Sequence, residues 1–259
     1  MIDYISLAKQ YEKYGRLTKS PIEEAVLACY HTLPSGFEYG DDFIRLLEIE
    51  FKESVWLKQP KGSLNLNIVF ENGELKSTAD HVADSFRFVS VIKSNIVLII
   101  DGPQFAVCLQ KPYTSWIEFS ELAKAYWRKF VNISGATLSH YGLRFINKIS
   151  FGLPLVDYLG NAYLQPSMAI GLDATNFQTS FEQKISGSPY FLAVGLSFQQ
   201  TDVAPAKGDL LLDIGLAVSP DELDKIKMHD KDKHLEELQI LKNHFFFTII
   251  QPSIISLCQ

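Results

Sequence analysis

Two stretches of the chain carry apolar residues at the spacing of a long amphipathic helix. In SWIEFSELAKAYWRKFVN, residues 115–132, apolar positions recur every three or four residues and form one stripe. Ser115 can cap the first turn, and Glu118 three positions later completes a capping box. A second long helix is predicted over residues 220–245, because it begins with a proline directly after a serine.

Shorter runs alternate apolar and polar residues, as half-buried strands do. Asn72-Gly73 and Asp101-Gly102 are typical of the tight turns that join antiparallel strands. Residues 3–14 and 40–51 have helical spacing instead. The predicted strands cover residues 22–32, a hairpin over 64–78, and residues 85–94, 95–101, 104–110, 136–151, 169–185, 189–200 and 208–218.

The order of these elements predicts an α+β protein with antiparallel sheet, since strands come in runs and do not alternate with helices. Strand, meander and long helix occur in residues 1–151 and again in residues 152–259. We therefore expect two similar halves, each a curved antiparallel sheet packed on one long helix. The halves should pack tightly, and the sequence leaves both one domain and two domains open; no residue-level repeat relates them.

The composition is that of a globular protein: 259 residues, 47% of them hydrophobic and 21% charged. A chain of this length can bury a core without disulfides or metal. The net charge of −6 argues against general nucleic-acid binding. The three cysteines include no Cys-x-x-Cys pair, and no apolar run approaches the roughly 20 residues of a membrane span. We expect a soluble cytoplasmic protein without cofactor or metal.

The strand YGLRFINKI, residues 141–149, places a guanidinium inside an apolar run. Alternation puts Phe145 and Asn147 on one face and Arg144 and Lys148 on the other. A guanidinium on a covered face must be paired, because an unpaired buried charge is costly. Glu24, which lies in the apolar strand at residues 22–32, is the expected partner of Arg144.

The alternative is a groove between sheet and helix that binds a small anion, such as a nucleotide. Arg144 and Lys148 would then contact the ligand, with Asn147 of the same strand as a further candidate. The sequence leaves the structural pair and the ligand groove both open.

Glu48, Glu50 and Lys52 form a Glu-x-Glu-x-Lys pattern that a strand would place on one face. This pattern resembles the opening strand of the CYTH triphosphate tunnel enzymes, whose carboxylates hold divalent metal over a triphosphate. The resemblance implies a metal-dependent phosphohydrolase, but the later strands lack the repeated basic and acidic rows of such a tunnel. A solvated acidic edge is the simpler interpretation, and a helix would separate the three side chains.

Other catalytic patterns are missing from the sequence. No Gly-x-Ser-x-Gly elbow or Walker loop is present. His229 and His234 are five residues apart, whereas a metal-binding helix places histidines four apart. Both are expected on a solvated helix face.

Three motifs occur in order along the chain: Pro21-Ile22-Glu23-Glu24-Ala25-Val26, the helix entry from Pro112 to Phe119, and the strand from Tyr141 to Ile149. With these motifs the chain resembles a sporadically distributed prokaryotic protein family of unknown function. The resemblance implies one architecture for the whole chain, but no reaction, cofactor or catalytic residue. Here His140 and Lys148 stand where the family tends to have arginine, which reduces the basic character of the strand.

Without a catalytic motif, we expect a non-catalytic binding or interaction protein, with a protein partner or a second copy of the chain. This hypothesis depends on a surplus of aromatic residues that would favour partner contact if exposed. The residues in question are Trp56, Tyr113, Tyr190 and Phe245–Phe247. The alternatives are a small anionic ligand and a phosphohydrolase that uses Glu48 and Glu50.

Overall fold

A computed structural model describes residues 2–12, 14, 17–37, 39–51, 56–71, 74–93, 95–159, 176–200, 207–225 and 230–259. The strands are β1 (Ile22–Thr32), β2 (Trp56–Glu71), β3 (Glu74–Lys93), β4 (Ile96–Asp101), β5 (Gln104–Gln110), β6 (Thr137–Leu153), β7 (Asn176–Lys184), β8 (Tyr190–Gln200) and β9 (Gly208–Val218). The helices are α1 (Tyr4–Glu12), α2 (Asp41–Glu50), α3 (Trp116–Ser134), α4 (Leu155–Tyr158), α5 (Lys231–Ile249) and α6 (Pro252–Cys258), with a 3-10 segment at Pro220–Lys225.

The described strands form a single antiparallel sheet in the order β2-β3-β4-β5-β1-β6-β9-β8-β7. The predicted α+β class with antiparallel sheet is therefore confirmed. The prediction of two halves with separate sheets is not confirmed, because β6 of the first half pairs directly with β9 of the second. Hairpins account for both ends of the sheet, and β1 and β6 join them at the centre.

Cross-strand rows show that the two faces of the sheet differ. One row carries six buried apolar side chains in mutual register: Leu98, Val107, Leu27, Leu143, Leu216 and Leu192. Helix α3 contacts β1 and β5 on this face, and α5 contacts β6 and β9. The next row is displaced by one residue and carries Val97, Cys108, Val26, Arg144, Gly215 and Ala193. We call the first the core face and the second the open face.

The central helix forms as its sequence predicts. The Ser115 hydroxyl accepts a hydrogen bond from the Glu118 backbone N–H at 3.2 Å, which satisfies one free donor of the first turn. The helix ends at Ser134 and is capped by Gly135, whose φ of +65° is the left-handed conformation that favours glycine. Phe119, Ala123 and Phe130 lie in the core.

The C-terminal helix differs from its prediction. A continuous helix from residue 220 was expected, but Pro220–Lys225 is a 3-10 segment, and α5 begins at Lys231. Residues 226–229 lie outside the described part of the chain. Within the part that is described, no helix is long and apolar enough to cross a bilayer.

Hairpin β2–β3 is longer than predicted. Glu71 pairs with Glu74, so the strands meet across the two residues at which a turn was expected. Those two residues, Asn72 and Gly73, lie outside the described chain. The second predicted turn is confirmed, because Asp101 pairs with Gln104 and Gly102 has a φ of +55°.

Candidate functional site

A cavity of about 520 Å³ opens between the core face and the helices that cover it. Helix α1 forms one wall, α5 forms another, and the entry to α3 forms a third. The start of β1 and one residue of β6 complete it. Its size is typical of small-molecule sites, which are usually several hundred Å³.

Lys242 is the only charged side chain among the described residues that line this cavity. Its Nζ lies 4.3 Å from the centre of the Phe145 ring. Within the described chain, no carboxylate pairs with this nitrogen and no acceptor receives a hydrogen bond from it. Burial lowers the pKa of Lys242 to about 8, because the charged form has lost water without gaining an anion. The ring offsets part of this loss through a cation–π contact.

Asn147 lines the same cavity as Lys242 and contributes a possible acceptor. Its Nδ2 donates to the backbone oxygens of Phe145 at 3.3 Å and Leu212 at 3.1 Å. Both amide donors are therefore used within the sheet, and Oδ1 is left for the cavity that Asn147 lines. Asn147 is buried on the core face, so it shares no face with Arg144 or Lys148.

Aromatic side chains form much of the cavity wall. Tyr113 packs edge-on against Phe145, with ring centres 5.9 Å apart. Trp116 has its Nε1 buried without an acceptor in the part of the chain that the structure describes. Tyr11 of α1 shares a hydrogen bond of 2.5 Å with His244 Nδ1 of α5, which ties the two helices together. These groups offer a flat apolar surface with few polar contacts.

Arg144 lies on the open face, paired with Asp213. Its Nε donates to Oδ1 at 3.0 Å and its Nη2 donates to Oδ2 at 2.6 Å, so the contact is bidentate. Hydrogen bonding to Asp213 raises the pKa of Arg144, and the charge of Glu24 acts in the same direction. The predicted partner Glu24 is therefore wrong for the direct contact. Glu24 and Asp213 both lie opposite Ile146, one on each flanking strand, so register alone does not choose between them.

Lys148 is also neutralised on the open face. Its Nζ lies 3.1 Å from Asp209 Oδ2 of β9. Each cation of the predicted anion groove thus has its own carboxylate, and the third candidate, Asn147, points to the other face. The structure does not bring the three residues together as one site.

The Glu-x-Glu-x-Lys pattern lies where the chain is helical. Glu48 and Glu50 belong to α2, and two residues apart on a helix they point in different directions. Lys52 lies outside the described residues. No group of three or more potential metal ligands comes together in the described ranges. The single-face geometry of the phosphohydrolase hypothesis is therefore wrong.

His234 does not lie on a solvated face, contrary to expectation. Its Nδ1 shares a hydrogen bond with the Tyr190 hydroxyl, which also donates to Glu237 Oε2 at 2.6 Å. Burial raises the pKa of Tyr190, and this bond to Glu237 adds to the effect. The contact joins α5 to β8 at a point N-terminal to the residues of α5 that line the cavity. His229 lies outside the described residues.

The aromatic surplus belongs mainly to the core. Trp56, Tyr190 and Phe246 are buried, and Tyr113, Phe245 and Phe247 are partly buried against the core. The observation that favoured a protein partner is therefore absent at these positions.

Sequence reasoning missed Lys242. A signal was present, because Lys242 lies four residues after Leu238 and three before Phe245, on the apolar stripe of the helix. A lysine on such a stripe either extends its amine to solvent or faces a cavity. Only the packing of α1 and α3 around α5 decides between them.

Comparisons with known proteins add little. No family model and no curated protein matches the chain. Among solved structures, the chain is similar to a PDZ domain protein from Parabacteroides distasonis at 12% identity. The match covers 68% of this chain and 52% of that one, so this chain spans about half the length of the solved protein. Its TM-score of 0.13 is too low to carry an argument. The family resemblance drawn from the three motifs stays a prediction.

Proposed function

We propose that the protein is a non-catalytic binding protein that holds a small anionic ligand in the cavity between α1, α3 and α5. The observation that supports this most is Lys242, which lines the cavity and whose ammonium has no carboxylate partner among the described residues. The predicted ligand class is kept, but its place moves from Arg144 and Lys148 to the other face of β6.

An anion would offset the cost of burying Lys242. A desolvated ammonium without a partner is unfavourable, and a charge-assisted hydrogen bond to a ligand removes that deficit. One lysine, with no second cation among the described lining residues, matches a single negative charge. The walls of Tyr113 and Trp116 suit a flat apolar body. A monocarboxylate with an aromatic ring combines these properties.

The test is a calorimetric titration with 2-naphthoate at pH 7. We expect binding that Lys242→Met weakens by about 10- to 100-fold, the value of a charge-assisted hydrogen bond of about 1.5–3 kcal/mol. Arg144→Met is the matched control. It removes a cation next to Phe145 in β6 but on the open face, so it should leave the affinity unchanged. The neutral amide, 2-naphthamide, should bind more weakly than the acid.

Two outcomes would contradict the proposal. Equal affinity of wild type and Lys242→Met for 2-naphthoate would mean that the ammonium does not contact the ligand. Loss of binding in Arg144→Met alone would return the site to the open face. AMP serves as the nucleotide-like probe in the same assay. Stronger binding of AMP than of 2-naphthoate would mean that the ligand carries a phosphate and not a carboxylate.

The other hypotheses lose the observations on which they depended. The phosphohydrolase required Glu48 and Glu50 on one strand face, and both lie on a helix. A protein partner or homo-oligomer was argued from exposed aromatic residues, and those residues are buried or partly buried. A partner, a cytoplasmic location and two related halves stay predictions.

A further inference from the structure

The amine of Lys242 has surroundings that favour nucleophilic attack. A lysine attacks a carbonyl carbon only in its neutral form, and a nearby carboxylate would hold the proton on the nitrogen. Among the described lining residues there is no carboxylate, and Nζ lies 4.3 Å from the centre of the Phe145 ring. The cavity that Lys242 lines is large enough for a two-ring molecule.

We propose that Lys242 forms a reversible imine with small aldehydes that have a flat apolar body and enter this cavity. This inference rests on the proposed function, because the aldehyde occupies the space assigned to the anionic ligand. The two ligands use opposite protonation states of the same nitrogen: the anion binds the ammonium, and the aldehyde reacts with the amine.

The reaction balances without an oxidant or reductant. The nitrogen lone pair attacks the carbonyl carbon, the C–N bond forms, and a proton moves from nitrogen to oxygen to give a carbinolamine. The hydroxyl then takes a proton from solvent and leaves as water while the C=N bond forms. Addition of water reverses both steps and releases the aldehyde.

Burial supports this assignment because it increases the fraction of Lys242 that is neutral and therefore nucleophilic. A lysine with a pKa of about 8 is about one-tenth neutral at pH 7. An ordinary exposed lysine is neutral in fewer than about one molecule in a thousand at that pH.

The chain contains matched internal controls. Burial also lowers the pKa of Lys231, but its Nζ donates to the Leu138 carbonyl and the residue does not line the cavity. Lys148 is held by Asp209 on the open face. Selective reaction at Lys242 therefore requires the cavity as well as a lowered pKa.

The test is reductive trapping with 2-naphthaldehyde and cyanoborohydride at pH 7, followed by peptide mapping of the intact wild-type protein. Reduction fixes each imine as a naphthylmethyl amine, and mapping separates Lys242 from the chain's α-amino group, which is also partly neutral at this pH. We expect Lys242 to be modified at least about tenfold faster than Lys231 and Lys148. Added 2-naphthoate should protect Lys242 and leave the other lysines unchanged.

Modification of Lys242 no faster than Lys231 or Lys148 would overturn the inference. The variant Lys242→Arg separates the two roles, since it keeps the charge and removes the nucleophile; it should bind 2-naphthoate and lose the modified peptide. Binding of 2-naphthoate without modification of Lys242 overturns the imine alone. Selective modification without 2-naphthoate binding overturns the anionic ligand alone.

Discussion

The two faces of β6 treat positive charge in different ways. On the open face, Arg144 and Lys148 each lie against an aspartate of β9 at hydrogen-bond distance. On the core face, Lys242 of α5 lies over Phe145 with no carboxylate partner among the described residues. Strand β9 thus supplies a carboxylate for both cations of β6, whereas Lys242 of the distant helix α5 has no such partner in the part of the chain that the structure describes.

This difference follows from solvent as well as from partners. The Arg144 side chain is 56% exposed, so water screens its charge and its pair contributes little to stability. Lys242 is partly buried, and the loss of water is what lowers its pKa. A charge count along the strand would rank Arg144 first as a binding residue. The environment of each charge reverses that order.

Replacing two neighbouring residues of β6, one on each face, should give the largest difference in the free energy of unfolding. Phe145→Ala removes a fully buried ring that packs on Tyr113, Phe119 and Lys242, and we expect a loss of about 3–5 kcal/mol in the free energy of unfolding. Arg144→Ala, one residue away on the open face, should cost less than about 1 kcal/mol. Urea unfolding of both variants measures the difference, and equal losses would mean that the faces are assigned wrongly.

Lys242→Met should stabilise the protein at neutral pH, by about 1–3 kcal/mol. The folded pKa of about 8 is below the ordinary value of 10.5, so the unfolded chain binds more protons between these values. Wild-type stability therefore rises with pH across this window, and the penalty is largest below pH 8.

The advantage of Lys242→Met should thus shrink as the pH rises from 8 towards 10.5. The other ionisable groups around the cavity are the same in both proteins, so the difference between the variants isolates Lys242. Thermal unfolding at pH 7 and pH 10 measures this. An advantage that stays constant with pH would come from packing and not from charge.

Asn147→Ala should destabilise by about 1–3 kcal/mol, because two backbone carbonyls each lose the hydrogen bond that the side-chain amide donates. Lys148→Ala, the adjacent control on the open face, should change the free energy of unfolding by under about 1 kcal/mol. Chemical denaturation compares the two, and a neutral Asn147→Ala would show that water replaces the amide without cost.

The smallest effect concerns the open-face pair. In a double-mutant cycle, Arg144→Met and Asp213→Asn should show a coupling of about 0.2–1 kcal/mol. The corresponding cycle with Glu24→Gln should show less, since Glu24 acts on Arg144 by charge and not by a direct bond. Stronger coupling to Glu24 than to Asp213 would restore the partner expected from the sequence.

Local patterns predict the elements of this fold well. The stripe and cap of residues 115–132 correspond to α3, and alternation in residues 141–149 places Phe145 and Asn147 inside and Arg144 and Lys148 outside. These features depend on neighbours within a few residues, so the sequence displays them directly. The predicted pattern at Glu48 and Glu50 was ambiguous because the run is too short to separate helix from strand.

Long-range pairing is what the sequence does not show. Asp213 is 69 residues from Arg144 and comes next to it only because β9 joins β6 at the centre of the sheet. The expected partner, Glu24, lies on the strand that flanks β6 on the other side. The cavity is less predictable still, since it needs α1, α3 and α5 packed around one lysine.

The most direct test is a pH titration of Lys242 itself. NMR of protein labelled with 13C at the lysine ε carbons measures it, and the spectrum of Lys242→Arg identifies the Lys242 signal. We expect a midpoint near pH 8 in the free protein and a shift to higher pH when 2-naphthoate is bound, because the anion stabilises the ammonium. A midpoint near the ordinary 10.5 that 2-naphthoate leaves unchanged would contradict this expectation.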